Sequence, residues 1–476
     1  MRSGPWQSTT VSDGSSAETK SAGENLRHLS AAVPLAEEVV ALLAGSEALL
    51  GTLSAQPASP MSSGFIAPSR MAGELRLQQF LPGAGRRYRE ERNIDRGAGR
   101  HHSVSGLSPY IRHRLLSESE VLAAVLGQHS RSAADKFIQE VFWRGYWKGW
   151  LEQRPAVWQD YLDELGLKGS ALATDADLSR RYQAAVDGQT GILPFDEWSR
   201  ELGPTGDLHN HARMWFASIW IFTLDLPWVL GADFFLRHLF DGDPASNTLS
   251  WRWVAGLHTR GKTYLATEHN IRRYASERFD LDPIAAGLER LSRQAEALEA
   301  PAHPPAARLV WPTEPTHRER VGVLLTEEDL LLDFPVAPLA VAALHVDSPA
   351  AEPVQQFKTG ALQDALSRAA QQLPSAEVNG QPAPVEELVA WAQQSGLEQL
   401  WVAYAPVGYV REQVDRLEAV LMSEKISLVR FTRTYDRLVW PHCTKGFFQL
   451  RKRIPDLLDA LFEEGPASSG MMADQC

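Results

Sequence analysis

Asp241-Gly242-Asp243-Pro244-Ala245-Ser246-Asn247-Thr248-Leu249-Ser250-Trp251-Arg252-Trp253 is the stretch on which the reading of this chain turns. Asp241 to Pro244 is a turn of the kind that punctuates helices, and a helix starts behind it. Asp241, Asp243, Asn247, Trp251 and Trp253 follow one another around that turn and helix start. The opening Asp-Gly-Asp resembles the start of a calcium loop, but Ala245 and the missing later ligands end that reading. Two explanations compete. A Trp stripe is commonly core, and Arg–Asp pairs commonly hold helices together. Charged and amide side chains dense among large aromatics instead predict a buried polar site, because buried polar groups need partners.

Two further helical segments concentrate the same residue types. In Phe137-Ile138-Gln139-Glu140-Val141-Phe142-Trp143-Arg144, Glu140 and Arg144 share a face at i,i+4, and Trp143, Trp147 and Trp150 form a second stripe. In Leu208-His209-Asn210-His211-Ala212-Arg213-Met214, Asn210, Arg213 and Met214 share a face. Ten of the 15 Trp lie between Trp143 and Trp253. Against them stand 2 Cys, Cys443 and Cys476, too few for a Cys₄ zinc site, an iron–sulfur cluster or a disulfide framework. With no apolar run of about 18 residues and no signal-peptide pattern, the expectation is a cytoplasmic protein without a membrane span.

Around these segments the 476 residues divide by composition. Residues 1–60 are rich in Ser, Ala and Gly, with a helical pattern near 35–50, and read as a low-complexity, partly helical extension. Residues 61–300 read as a helical domain. A Pro-rich linker, 301–319, follows. From 320 to 465, short apolar runs at 321–325, 339–346, 400–404 and 428–431 alternate with helical patterns at 361–373, 385–395 and 410–421, which predicts a parallel sheet covered by helices. A tail, 466–476, closes the chain. The expected fold is thus α + α/β, multidomain.

The net charge is −12, which argues against a protein that simply coats nucleic acid. Residues 61–290 are nevertheless neutral, with 28 basic and 28 acidic residues, and the run from Arg70 to Arg114 holds ten Arg against four acids. That run fits a solvated surface or a phosphate-binding face equally. Gly256-Leu257-His258-Thr259-Arg260-Gly261-Lys262-Thr263 matches a phosphate-binding loop letter for letter, but it follows a helical, Trp-rich region instead of a strand. A glycine-hinged loop is the expectation, and a nucleotide triphosphatase the discarded alternative. His101-His102 and His209-Asn210-His211 lack metal-ligand spacing, and Gly83-Ala84-Gly85 lacks the third glycine of a dinucleotide fingerprint. No metal site is expected.

Ser105-Gly106-Leu107-Ser108-Pro109-Tyr110, Glu140 to Arg144, His209 to Met214, and Asp241 to Asn247 with Trp251 and Trp253 together resemble the photolyase/cryptochrome flavoproteins, over about Tyr88 to Trp253. The resemblance implies a U-shaped FAD in the helical domain. It implies cofactor contacts from Tyr88, Ser105, Leu107, Ser108, Arg144, Asn210, Arg213, Asp241, Asp243 and Asn247, with Arg213–Asp241 an ion pair beside the flavin and Asn247 facing its central nitrogen. An Asn there suits a flavin kept fully reduced, because an Asp would add charge that disfavours the anion. Trp251 and Trp228 match the first two members of an electron-transfer chain. The third position falls on Asp175, so Trp158, Trp198, Trp220 and Tyr182 are candidates to replace it. Glu140, Trp143, Asn210, Met214 and Trp253 match the lining of a dimer pocket, where indoles offer stacking surface to a flipped lesion.

Residues 387–461 resemble the latter part of the family's antenna-binding α/β domain, including Arg411-Glu412-Gln413-Val414-Asp415-Arg416 and Thr444-Lys445-Gly446-Phe447-Phe448. In ordinary members that domain comes first, so a permuted order is expected, with room for a second, antenna chromophore of open identity. The resemblance implies a light-driven lyase that splits cyclobutane pyrimidine dimers in DNA, single- or double-stranded, with Trp251, Trp228, Glu140 and Asn247 serving the chemistry. The alternative is a cryptochrome-like blue-light receptor without repair. Three departures weaken repair more than FAD binding: Asp207 stands where repair enzymes usually have Trp, His211 replaces a common Arg, and Thr223 replaces an acid.

Overall fold

Short polar residues open several of the helices with a side-chain cap. The computed structural model of the chain describes residues 66–463 except 101, 283, 300 and 313–317; the helix expected near 35–50 and the tail lie outside them. Ser69 caps α1 (Arg70–Phe80), which α2 (Arg86–Glu91) and α3 (Ser108–Arg112) follow. Ser117 and Glu120 form a reciprocal capping box on α4 (Glu118–Gln128). Ser130 caps the long α5 (Arg131–Glu152). Then come α6 (Ala156–Thr174), α7 (Ala176–Val186), α8 (Leu193–Thr205) and α9 (Asn210–Ser218). A π-type turn at Ile219–Thr223 ends α9, closed by a Leu224 N–H to Ile219 carbonyl bond of 2.9 Å. Next are α10 (Trp228–His238), α11 (Pro244–Val254) and α12 (Glu268–Ala275).

The second layer begins with β1 (Val321–Leu325) and β2 (Ala340–Ala343), then α13 (Glu352–Gln372), β3 (Glu377–Val378), α14 (Val385–Gln394), β4 (Gln399–Ala403), α15 (Tyr409–Ser423) and β5 (Ser427–Phe431). All five strands are parallel, in the order β3-β2-β1-β4-β5. β1, β2 and β4 are buried along their whole length, which is why they read as unbroken apolar runs. The two-residue β3 is too short to leave such a signal. α16 (Thr434–Val439), α17 (Phe447–Arg451) and α18 (Ile454–Glu463) complete the chain. The helical domain is therefore followed by a parallel-sheet α/β domain, the order the composition predicts.

The two layers share one core. Phe142 and Trp150 of α5 pack in the same cluster as Trp401, Tyr435 and Trp440. The Pro-rich stretch departs from a free linker: its described residues run extended across the end of α5. His303 meets Trp150 edge-on at 5.1 Å, the Ala307 N–H donates to the Gln153 carbonyl at 2.9 Å, and Trp311 stacks on Trp440 at 5.9 Å.

A chain of buried carboxylates after β1 joins the layers. Glu327 pairs with Lys358 at 2.9 Å, Glu328 with Arg112 at 2.7 Å and Lys148 at 3.0 Å, and Asp329 with Arg433 at 2.8 Å and Arg114 at 3.2 Å. The Arg70–Arg114 run thus divides: Arg112 and Arg114 are buried with acids, while Arg86 stays on the surface beside Glu90.

Candidate flavin and base site

Asp241 sits at the turn before α11 and gathers three helices. Its Oδ2 accepts from the Ser108 hydroxyl at 2.6 Å and from Arg213 Nη1 at 3.0 Å. Arg213 also donates to Asp207 at 3.3 Å and to the Leu208 carbonyl at 2.7 Å. Burial alone would raise the Asp241 carboxyl; the Arg213 guanidinium and the Ser108 hydroxyl outweigh it and hold it below the usual carboxylate range. Arg144 reaches the same place, donating from Nη2 to the Ser108 carbonyl at 3.3 Å. Two atoms here are buried without a protein partner, Asp241 Oδ1 and Arg144 Nη1. One accepts and one donates, so they suit a ligand carrying both an acidic N–H and an anionic group.

The Ser105–Ser108 segment is held from behind by Arg76, which donates to the carbonyls of Ser105 at 2.6 Å and Val104 at 2.9 Å. Ser105 in turn accepts from the Leu107 N–H at 3.3 Å, and Leu107 is fully buried. Arg76 carried no signal in the sequence beyond membership of a basic run. The sequence-predicted residues thus come together at Ser105, Leu107, Ser108, Arg144, Arg213 and Asp241.

Asp243 and Asn247 lie one step away. Asp243 caps α11, accepting from the Ser246 N–H at 2.6 Å, and faces Lys148 at 3.4 Å and Arg112 at 3.8 Å. Burial opposes its charge, and those two cations hold the carboxyl well below its ordinary range. Its polar capacity is spent inside the protein. Asn247 is buried and donates to the Ala232 carbonyl at 2.7 Å.

Tyr88 and Glu140 form a second cluster around Arg92. Tyr88 is buried against Phe80 and Phe137. Arg92 pairs with Glu140, and its carbonyl lies 3.0 Å from His209 Nε2. Burial pushes the Glu140 carboxyl up despite Arg92. Arg92 therefore ties α5 to the start of α9, where Asn210 is exposed and Met214 half-buried. Sequence reasoning missed it, because its partners lie 48 and 117 residues away.

The expected base-pocket indoles have aromatic neighbours of their own. Trp143 lies flat on Phe447 of α17, with centroids 3.7 Å apart and planes 12° apart. Trp253 stacks on Tyr264 at 5.7 Å, and the Tyr264 hydroxyl meets His211 Nε2 at 3.3 Å. The expected electron carriers are both buried. Trp251 contacts Phe235 at 5.1 Å, Trp220 at 6.2 Å and Phe216 at 6.4 Å. Trp228 contacts Tyr161 at 5.8 Å and donates to Glu164 at 3.2 Å. Asp175, at the vacant third position, is the N-cap of α7, accepting from the N–H groups of Asp177 and Leu178 at 3.0 Å.

Residues 256–263 follow the end of α11, no strand precedes them, and no helix begins until Glu268. A pocket of about 510 Å³ opens there, but Glu299 puts a carboxylate in its lining. Among the described residues, no group of three or more metal-ligating side chains converges, and no helix is long and apolar enough to cross a membrane. Where the strand order turns, between β1 and β4, parallel sheets generally place a ligand. Glu327, Glu328, Arg112 and Lys358 line that crevice, which encloses about 20 Å³, room for one water.

Fold and site together define a helical domain with an ion-paired, aromatic-flanked centre, fused to a parallel α/β layer. Residues 137–283 match the family model described as the FAD binding domain of DNA photolyase. The chain is similar to a deoxyribodipyrimidine photo-lyase of Streptomyces griseus, 32% identical over 200 residues, covering 42% of this chain and 41% of the relative. It is also similar to one of Thermus thermophilus, 32% identical over 203 residues, covering 41% and 45%. The matched part thus spans less than half the length of these curated relatives. Among solved structures, a class III photolyase of Agrobacterium tumefaciens matches at 27% identity and TM-score 0.37, covering 44% of this chain and 43% of that one. A cryptochrome of Synechocystis matches at 26% identity and TM-score 0.36, covering 49% and 48%. Residues 137–283 of the helical domain are thus similar to the FAD binding domain of DNA photolyase.

Proposed function

We propose that this chain is a light-driven, FAD-dependent lyase that splits cyclobutane pyrimidine dimers in DNA. The observation that carries the reading is the Ser108–Asp241–Arg213 cluster with its two orphaned buried atoms, Asp241 Oδ1 and Arg144 Nη1. Asp241 offers an acceptor to a flavin imide N–H, and Arg144 offers a donor to a phosphate, with Ser105, Leu107, Ser108 and Arg213 around them. FAD, when bound, supplies the light-driven electron chemistry. The protein's part is orientation and exclusion of water. Asn247 presents a neutral amide near the flavin's centre. Glu140, Trp143, Asn210, Met214 and Trp253 receive the lesion, the indoles stacking on it and Glu140 reaching a base edge. Trp251 passes electrons to the flavin, and Trp228 is the second carrier that the resemblance implies.

The alternative, a blue-light receptor without repair, is favoured by one observation. Arg92 occupies Glu140 and Phe447 covers one face of Trp143, so part of the expected pocket is already engaged. One assay separates them: blue light on an oligonucleotide carrying a single dimer. Repair that falls at least tenfold in Glu140→Ala and Trp253→Ala is expected. A flavin-loaded protein that leaves the dimer intact refutes the lyase and leaves the receptor; a colourless protein refutes both.

A further inference from the structure

Gly231 of α10 marks a point where two indoles converge. A Cβ placed on it would stand 2.4 and 2.6 Å from the outer ring carbons of Trp251 and 2.9 Å from Trp220. The missing side chain is what lets both rings pack against one spot on α10. Their centroids are 6.2 Å apart, edge to face at 87°. On the far side, Trp220 meets Tyr182 of α7 at 5.8 Å, again edge to face at 89°. Trp251 is 2% exposed and Trp220 fully buried, whereas Tyr182 is half-buried and reaches solvent. Three oxidisable rings in successive contact therefore run from α11, the helix that carries Asn247, toward the surface.

The other aromatic rings on Trp251, Phe216 and Phe235, are far harder to oxidise than an indole. Trp228 carries the Arg252 guanidinium 5.7 Å from its ring centroid, and that charge opposes a positive hole on the indole, offset in part by Glu164. Trp220 donates its N–H to the Pro227 carbonyl at 3.0 Å, a neutral acceptor. A tyrosine is a suitable last donor. Once oxidised it sheds its phenolic proton to water, which traps the hole at the surface.

We infer that electrons reach Trp251 through Trp220 from Tyr182, with Gly231 setting the contact between the two indoles. This rests on the FAD reading above. Light moves one electron from Trp251 to bound oxidised flavin. Trp220 refills Trp251, Tyr182 refills Trp220 and releases its proton to solvent, and a small thiol returns an electron and a proton to Tyr182, two thiols closing to a disulfide over two turnovers.

The test uses the full chain loaded with oxidised FAD, a small thiol as reductant, blue-light flashes, freeze-trapped electron paramagnetic resonance and transient absorption. Wild type should show a tyrosyl signal that Tyr182→Phe abolishes. Trp220→Phe should slow photoreduction at least tenfold, and Trp220→Tyr, which keeps an oxidisable ring, should restore most of it. Gly231→Ala keeps all three rings but parts the indoles, so it should slow photoreduction severalfold at unchanged FAD content. A tyrosyl signal that survives Tyr182→Phe, or photoreduction lost in Trp228→Phe and intact in Trp220→Phe, overturns the path while leaving the FAD reading standing. A wild-type chain that binds no flavin overturns both.

Discussion

Replacing Asp241 by Asn keeps shape and removes one charge, so its effect can be worked from contacts. Asp241 Oδ2 accepts two hydrogen bonds, from Ser108 at 2.6 Å and Arg213 at 3.0 Å. A bond to a charged group is worth about 1.5–3 kcal/mol net and a neutral one about half that. Asn retains a neutral acceptor, so each bond loses about 1 kcal/mol. Arg213 is then left half-buried with one anion, Asp207, at 3.3 Å. Losing a partner in a buried pair costs about 3–5 kcal/mol when nothing replaces it; Asp207 and the surviving Asn acceptor bring the expectation to about 2–3 kcal/mol in the ligand-free protein. FAD should lose a further charged acceptor at Oδ1, worth roughly 2 kcal/mol or about 30-fold in Kd. Urea unfolding of the ligand-free chain reads the first quantity, and a flavin fluorescence titration reads the second. An Asp241→Asn protein that binds FAD with wild-type Kd would show that this carboxylate does not face the cofactor.

Three other perturbations follow from the same geometry. His258 is half-buried against Trp147 and Trp150, and desolvation, then neighbouring His303, Arg252 and Arg154, depress it to about 3. The unfolded chain takes up that proton below about 6.5 while the folded chain refuses it, so stability falls with pH; between pH 7 and pH 5 wild type should lose about 2 kcal/mol more than His258→Gln in urea unfolding. Glu328→Gln leaves Arg112 and Lys148 short of an anion, with Asp243 and Glu327 still near, and should cost about 3 kcal/mol; a cost under about 1 kcal/mol would mean the cluster is hydrated. Gly149→Ala places a methyl 2.8 Å from Trp440 Cα, a backbone atom that cannot swing away, and should cost about 1–3 kcal/mol in thermal unfolding without changing FAD content.

What was legible in the sequence is what local chemistry writes. β1 reads true because Val321–Leu325 is an apolar run buried on both faces, and the turn at Asp241–Pro244 reads true because its own residues make it. Ser108, Arg213 and Asp241, which meet in the structure, stand out because their residue types fit a motif across four separate segments. Other features hide because their meaning lies far along the chain. Thr326-Glu327-Glu328-Asp329 looks like a solvated run, yet all four residues are buried, answered by cations from four other segments. Asp175 looks like a lost electron carrier, and its neighbours at 177 and 178 show it capping a helix. Nothing in Phe447 announces that it will lie on Trp143, 304 positions earlier.

Asp243 shows why the two layers act as one. It caps α11, the helix that carries Asn247, Trp251 and Trp253, so it sets where those side chains start. Its carboxylate is shared with Lys148 and Arg112, and both cations are shared in turn with Glu328, beyond the end of β1. Two buried cations between two buried acids hold only while all four are present, because any one removed strands an unpaired charge. The start of α11 is therefore fixed from the α/β side through contacts spanning 180 residues or more. The helical part carries every residue proposed to touch FAD, but the position of α11 depends on a loop that follows the first strand of the sheet. An α/β layer placed after the helical domain in the chain is, in this sense, a structural part of the site and not an appendage to it.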